Sequence, residues 1–250
     1  MRRLLSLITF IVASCASTIE PEKKQGLQLY SAKMTPSCLK GFNKAPHLRR
    51  APPADYLVSL FGFIKNADDI YFEVNEQTND IFSHLTRELQ VTKHSDMKRR
   101  RAAMFELLRV SAAMESSYNW QQGRDKSASN YSLYTQEAGI FQTSPNSHVY
   151  CGRRQWSSRT GKTECVAWPR WTYLDEMVAA YGVGRVSGSN NTANAAWNAL
   201  MKDESKKDVI FRHHAYMLRH NFRHYGPMID KARVGNNISR ECIKEVELLL

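Results

Sequence analysis

Three carboxylates set out what chemistry this 250-residue chain can do. Glu115 follows Ser95 to Met114, a stretch without Gly or Pro that reads as a helix, with Ser95 as N-cap and Asp96 at the positive end of its dipole. Phe105, Leu108 and Ala112 recur at three- and four-residue spacing, and Glu115 is the next position on that stripe. A charged carboxylate on a core-facing row is costly to bury. That cost raises a carboxyl pKa, as a general acid working near neutral pH requires. The competing expectation is a helix end that turns Glu115 into solvent. Asp125 lies in the polar turn Gly123-Arg124-Asp125, where solvation keeps a carboxylate ionised, as a base for water must be; the alternative is a turn-forming Asp paired with Arg124 or Lys126. Glu137 opens the run Glu137-Ala-Gly-Ile-Phe-Gln-Thr-Ser144 and is either a second carboxylate or a structural hydrogen-bonding group. An acid paired with a carboxylate is what glycoside cleavage needs: one protonates the leaving oxygen, the other supports an oxocarbenium-like centre or activates water.

The residues around Glu115 and Glu137 carry a resemblance. Glu115-Ser-Ser-Tyr-Asn119 resembles the Glu-Ser-x-Phe/Tyr-Asn signature of soluble lytic transglycosylases and goose-type lysozymes, and Gly139-Ile-Phe-Gln142 resembles their Gly-Leu-Met-Gln element. The match covers about a seventh of the chain. The gap from Glu115 to Gly139 is 24 residues, longer than usual in the transglycosylases, and holds a polar insertion from Gln121 to Gln136. The resemblance implies a mostly α, lysozyme-like single domain and a muramidase acting on peptidoglycan glycan strands. It would cleave the β-1,4 bond between N-acetylmuramic acid and N-acetylglucosamine. It also implies that Tyr118 and Gln142 line the cleft and that the Gly139 backbone approaches the sugar. Ser116, Gln142, Thr143 and Ser144 offer neutral hydrogen-bonding groups for sugar hydroxyls and N-acetyl groups. Tyr118, Trp120, Tyr131 and Tyr134 are aromatic enough to stack on sugars, with core packing as the ordinary role of each. A lytic transglycosylase needs only Glu115, which protonates the leaving oxygen and then accepts the proton of the muramic acid 6-hydroxyl. A hydrolase needs the second carboxylate, and the presence of Asp125 and Glu137 favours hydrolysis.

The amino terminus reads as an address. Met1-Arg-Arg3 is a basic n-region, Leu4 to Ala13 is an apolar stretch too short to span a bilayer, and Val12-Ala-Ser-Cys15 resembles a bacterial lipobox. The expected organisation is a signal peptide over 1–14, a lipidated Cys15 with a flexible linker over 15–51, and a catalytic domain over 52–250. The alternative is an ordinary secretory signal with an incidental Cys. Either route implies export, here to the periplasm, with Ala16 resembling outer-membrane sorting and Cys15 providing a membrane anchor. Removing Arg2 and Arg3 lowers the net charge from +11 to +9, which still draws the protein to an acidic wall polymer. Nucleic acid is not an expected partner for such a chain.

Beyond the central helix, helical patterns cover Ala54–Lys65, Asp80–Gln90, Trp171–Tyr181, Thr192–Lys202, Asp208–His224 and Ser239–Leu249. No run alternates as a strand, and the Gln121–Gln136 loop is the expected place for a small hairpin. Lys98-Arg-Arg-Arg101 is expected to form a solvated charged face. With Cys15 lipidated, Cys38, Cys151, Cys165 and Cys242 permit three connectivities. Cys151–Cys165 closes a short loop and is preferred, which leaves Cys38–Cys242 to fasten the tail to the last helix. His213, His214, His220 and His224 are expected on a cationic, partly exposed helix, because they lack a zinc-protease pattern. No metal or cofactor is expected, and Gly182-Val-Gly184 is not a phosphate loop. A different class of function also fits: a lysozyme-like lipoprotein that binds glycan or assists envelope assembly without turnover.

Overall fold

The computed structural model describes residues 36–40, 51–73, 80–124, 132–148, 153–157, 162–166, 178–220 and 226–250. Among these the protein is mostly helical. One helix, α5 (Met97–Ser116), organises the rest. Asp96 caps its first turn by accepting from the Arg99 N–H at 2.8 Å, so the cap falls one residue after Ser95. Every residue from Ala102 to Ala113 is buried, because α5 is surrounded: α2 (Ala54–Asn66), α8 (Lys207–His220), α10 (Arg240–Leu249) and the 3₁₀ turn Gly226–Ile229 all pack on it. Tyr56, Tyr118, Trp120 and Phe211 form an aromatic cluster beside it, and the Tyr56 hydroxyl donates to the Leu108 carbonyl at 2.9 Å.

In the basic run at the start of α5, Lys98 is exposed as expected, but Arg99, Arg100 and Arg101 are not a solvated face. Arg99 reaches the Leu89 carbonyl and Glu247, and Arg100 is buried and donates to the Lys93 carbonyl. Arg101 closes the carboxyl end of α2 by donating to Ile64 and Ala67 carbonyls and pairing with Asp69. Guanidiniums satisfy the orphan carbonyls of neighbouring segments here, which offsets the unfavourable end of their own helix dipole.

The remaining elements follow the sequence pattern with local corrections. The predicted Asp80–Gln90 helix is two single turns, α3 (Ile81–His84) and α4 (Thr86–Leu89), separated at Leu85. Asp80 is occupied as a cap and by a buried pair with Arg219 (2.6 Å), and Gln90 is left-handed at φ 55°. α7 (Asn191–Lys202) starts on an Asn190 cap, α9 (Lys231–Gly235) on Asp230, and α10 on Ser239. A turn, α6 (Pro145–His148), follows the second motif. A hairpin occurs beyond the Gln121–Gln136 loop, of which 125–131 lie outside the described residues: β1 (Arg153–Ser157) pairs antiparallel with β2 (Lys162–Val166), with Arg154 opposite Cys165. Most of the predicted Trp171–Tyr181 helix lies outside the described residues.

Part of the expected tether is docked. α1 (Pro36–Leu39) is held to α10 by a Cys38–Cys242 disulfide, as the tail-fastening pairing requires, and the Lys40 carbonyl accepts from Arg109. Residues 1–35, including the apolar leader and Cys15, lie outside the described residues, as does Cys151. No described helix is long and apolar enough to cross a membrane.

Candidate active site

Helix α5 delivers Glu115 at its last turn and then stops abruptly. Ser117 and Tyr118 both adopt left-handed backbone conformations, φ 53° and 64°, and the Ser117 N–H returns to the Ala113 carbonyl at 3.1 Å. Left-handed geometry costs a residue with a side chain roughly 1–2 kcal/mol. Of four such non-glycine residues among those described, three belong to the two motifs: Ser117, Tyr118 and Gln142 at φ 47°. Strain concentrated in this way persists only where the surroundings over-determine it, a pattern typical of functional sites.

Two hydrogen-bonded links join the motifs. Ser116 Oγ donates to the Ile140 carbonyl at 2.7 Å and accepts from the Asn119 N–H at 3.1 Å. Asn119 also holds Gln122, whose carbonyl accepts from the Gly139 N–H at 2.9 Å. The second motif folds into a tight loop closed by reciprocal backbone bonds between Ala138 and Thr143, at 3.0 and 3.1 Å, with Gln142 Nε2 donating to the Gly139 carbonyl across it. Two stretches separated by a long polar insertion therefore form one unit.

That unit frames a cavity of about 120 Å³. Of the predicted residues, Glu115, Glu137, Gln142, Thr143 and Ser144 line it. Phe141, Ser147, Met217 and Gly226 complete the wall. Glu115 is half-buried, so it neither turns freely into solvent nor disappears into the core. No Lys, Arg or His lines the cavity among the described residues. A described lining with two carboxyl groups, four neutral hydrogen-bonding residues and no cation disfavours an anion at the reacting centre and favours developing positive charge.

Other predicted site residues sit elsewhere. Ser116 is the tie between motifs. Tyr118 is buried against Tyr56 in the aromatic cluster, where burial raises the phenol pKa and keeps it protonated, so its motif position serves packing. Gly139, at φ 77°, is required by α7: a Cβ there would overlap the Met201 carbonyl oxygen and lie 2.7 Å from its carbon. Asp125 lies outside the described residues. Of Cys165 the description extends to its place in β2.

Behind the cavity two of the four histidines depart from the expected exposed face, while His220 is half-buried and His224 lies outside the described residues. His213 and His214 are 0% and 2% exposed. Burial pulls His214 down to about 3, so it is neutral. Its ring lies flat on Phe141, 4.0 Å between centroids, and its Nε2 is 2.8 Å from the Ser111 hydroxyl one turn before Glu115. This brace between α5 and the second motif was hidden in the sequence, because α8 places Phe141 and Ser111 beside His214 only in three dimensions. Phe141 was visible as a motif residue. Met217 and Gly226 carried no comparable signal.

No group of three or more potential metal ligands occurs among the described residues. A larger groove of about 450 Å³ runs between Arg87, Glu88, Lys231, Arg240 and Glu241, but Glu88 is paired with Arg87 and no predicted site residue reaches it. No protein-family model, curated protein sequence or solved structure matches this chain.

Proposed function

We propose that the protein is a glycosidase acting on peptidoglycan, a muramidase that cleaves the β-1,4 bond between N-acetylmuramic acid and N-acetylglucosamine. The observation that carries this reading is that Glu115 and Glu137 line one cavity with no cation among its described lining residues, beside the neutral groups of Gln142, Thr143 and Ser144. In this mechanism Glu115 protonates the glycosidic oxygen as the bond to C1 lengthens. Positive charge then grows on the sugar ring, and the Glu137 carboxylate stabilises it or takes a proton from the attacking water. Gln142, Thr143 and Ser144 orient hydroxyl and N-acetyl groups, whose uncharged chemistry matches theirs.

Glu137 is given the second role here because it shares the cavity with Glu115; Asp125 lies outside the described residues. The lysozyme-like assignment, export and lipid anchoring at Cys15 belong to the same proposal. The Cys38–Cys242 disulfide supports an oxidising compartment, and the net charge supports attraction to an acidic wall. Purified peptidoglycan incubated with the protein should release soluble muropeptides. An intact sacculus with glycan strands bound and none cleaved would overturn the enzymatic reading in favour of a binding module. Loss of lipid labelling in Cys15→Ser tests the anchor; unchanged labelling would refute it.

A further inference from the structure

Gly226 begins the 3₁₀ turn after α8 and forms part of the cavity wall. Two separate features meet in it. Its backbone is left-handed, at φ 52°. The direction a side chain would take is also already occupied: a Cβ built there would overlap Glu115 Oε1 and lie 3.4 Å from the Glu115 carboxyl carbon. The Glu115 carboxyl therefore rests in the space that the missing side chain leaves. Gly182 shares the first feature without the second, with φ 77° and nothing within 4 Å of the point a Cβ would occupy. Gly139 meets the backbone of Met201, a contact with no bearing on a carboxyl group.

We propose that Gly226 is a positioning residue for Glu115, setting where its carboxyl lies in the cavity. The proposal rests on the glycosidase reading for its kinetic consequence, though not for the contact itself. α5 is held by continuous burial from Ala102 to Ala113, just before Glu115, which opposes a shift of the helix. A methyl group at residue 226 therefore presses directly on the Glu115 carboxyl. Any response swings the carboxyl away from its seat against the backbone and away from the wall it shares with Glu137. The substrate-contacting groups Gln142, Thr143 and Ser144 belong to a different element and stay in place. Substitution should therefore separate proton delivery from binding. A displacement of about 1 Å at a reacting group can cost on the order of 10²-fold in rate.

The test combines kinetics and thermal unfolding of the full chain. Gly182→Ala should lower Tm by about 2–8 °C, the cost of a left-handed alanine in open space, and leave kcat unchanged. Gly226→Ala should lower Tm further and reduce kcat on peptidoglycan fragments by about 10²-fold with KM unchanged. In a Glu115→Ala background, which removes the obstructing oxygen, the Tm penalty of Gly226→Ala should shrink to that of Gly182→Ala. An unchanged kcat in Gly226→Ala, a loss carried by KM alone, or an equal Tm penalty in both backgrounds would overturn the proposal. Should Gly226→Ala fail to fold, rescue of folding by Glu115→Ala supports the contact and failure of the double variant overturns it. If the wild-type protein releases nothing from peptidoglycan, the glycosidase reading fails while the Tm comparison still decides the contact.

Discussion

Glu106 and Glu115 stand nine residues apart on the same helix and have opposite fates. Glu106 is 0% exposed, and its two oxygens accept from Arg109 Nε and Nη2, each at 2.7 Å, with a further bond from the Ser239 N–H at 2.6 Å. Burial opposes the Arg109 charge, but the Glu106 carboxylate and its hydrogen bonds more than offset it and hold the guanidinium pKa above its usual value. Such a carboxylate is saturated by structural partners. Glu115 instead sits half-buried on a cavity wall with a second carboxyl group and neutral donors. Between the two, Ser111 and the neutral His214 brace the helix against the second motif. A buried acid by itself is therefore uninformative: Glu106 is clamped by Arg109, whereas Glu115 lines a cavity with a second carboxyl group, the arrangement that the proposed chemistry uses.

Exchanging the two roles by mutation tests this contrast most severely. Glu115→Gln should reduce wall-degrading turnover by about 10²–10⁴-fold while leaving thermal stability close to wild type. Retained turnover in a folded protein would remove Glu115 from the chemistry.

Acid should attack the region behind the cavity next. His214 has a folded pKa near 3 against an unfolded value of 6.5, so between those limits the unfolded chain binds a proton that the folded chain excludes. The stability contribution is complete above about pH 6.5 and declines as pH falls toward 3, by up to about 4–5 kcal/mol across the window. Urea unfolding at pH 7, 5 and 4 should show this slope, and His214→Phe should flatten it. An unaltered slope in that variant would mean that His214 is not the responsible group.

Glu106→Gln should be the mirror image of Glu115→Gln. Leaving Arg109 buried without a countercharge costs about 3–5 kcal/mol of unfolding free energy, and the protein that remains folded should keep its turnover. Wild-type stability would show that the pair is not the structural clamp described above.

The smallest effect belongs to the tie between motifs. Ser116→Ala loses the bond to the Ile140 carbonyl, about 1 kcal/mol, and loosens the second motif against α5. Turnover should fall, but less than in Glu115→Gln, and a Tm equal to wild type would show that the tie carries no load.

The site was legible in the sequence where chemistry and local pattern coincide. Glu115 extends an apolar stripe, and Gln142, Thr143 and Ser144 follow within one short run, so the helix end and the polar wall were both visible. Motif position could not by itself separate a cleft role from packing at Tyr118 and Gly139. A buried Tyr and a left-handed Gly fit core packing as well as a cleft, and only the tertiary neighbours Tyr56 and Met201 separate the roles. The basic run at 99–101 failed for a related reason: the carbonyls that it caps lie far away in sequence, on the segments ending at Ile64, Ala67 and Leu89. Gly226 was unreadable because its importance is the absence of atoms beside Glu115. The helices were predictable from periodicity to within a residue or two at α2, α7 and α10, where caps and patterns agree.

The most direct measurement of the central claim is the mass of the ends released from purified peptidoglycan by the wild-type protein and by Glu115→Gln. Two carboxyl groups on one cavity wall predict hydrolysis. Wild-type protein should yield muramic acid reducing ends carrying the added water, and Glu115→Gln should yield almost none. Products that carry only 1,6-anhydro ends would contradict a second carboxylate in the reaction, and equal release by both proteins would contradict the role of Glu115 itself.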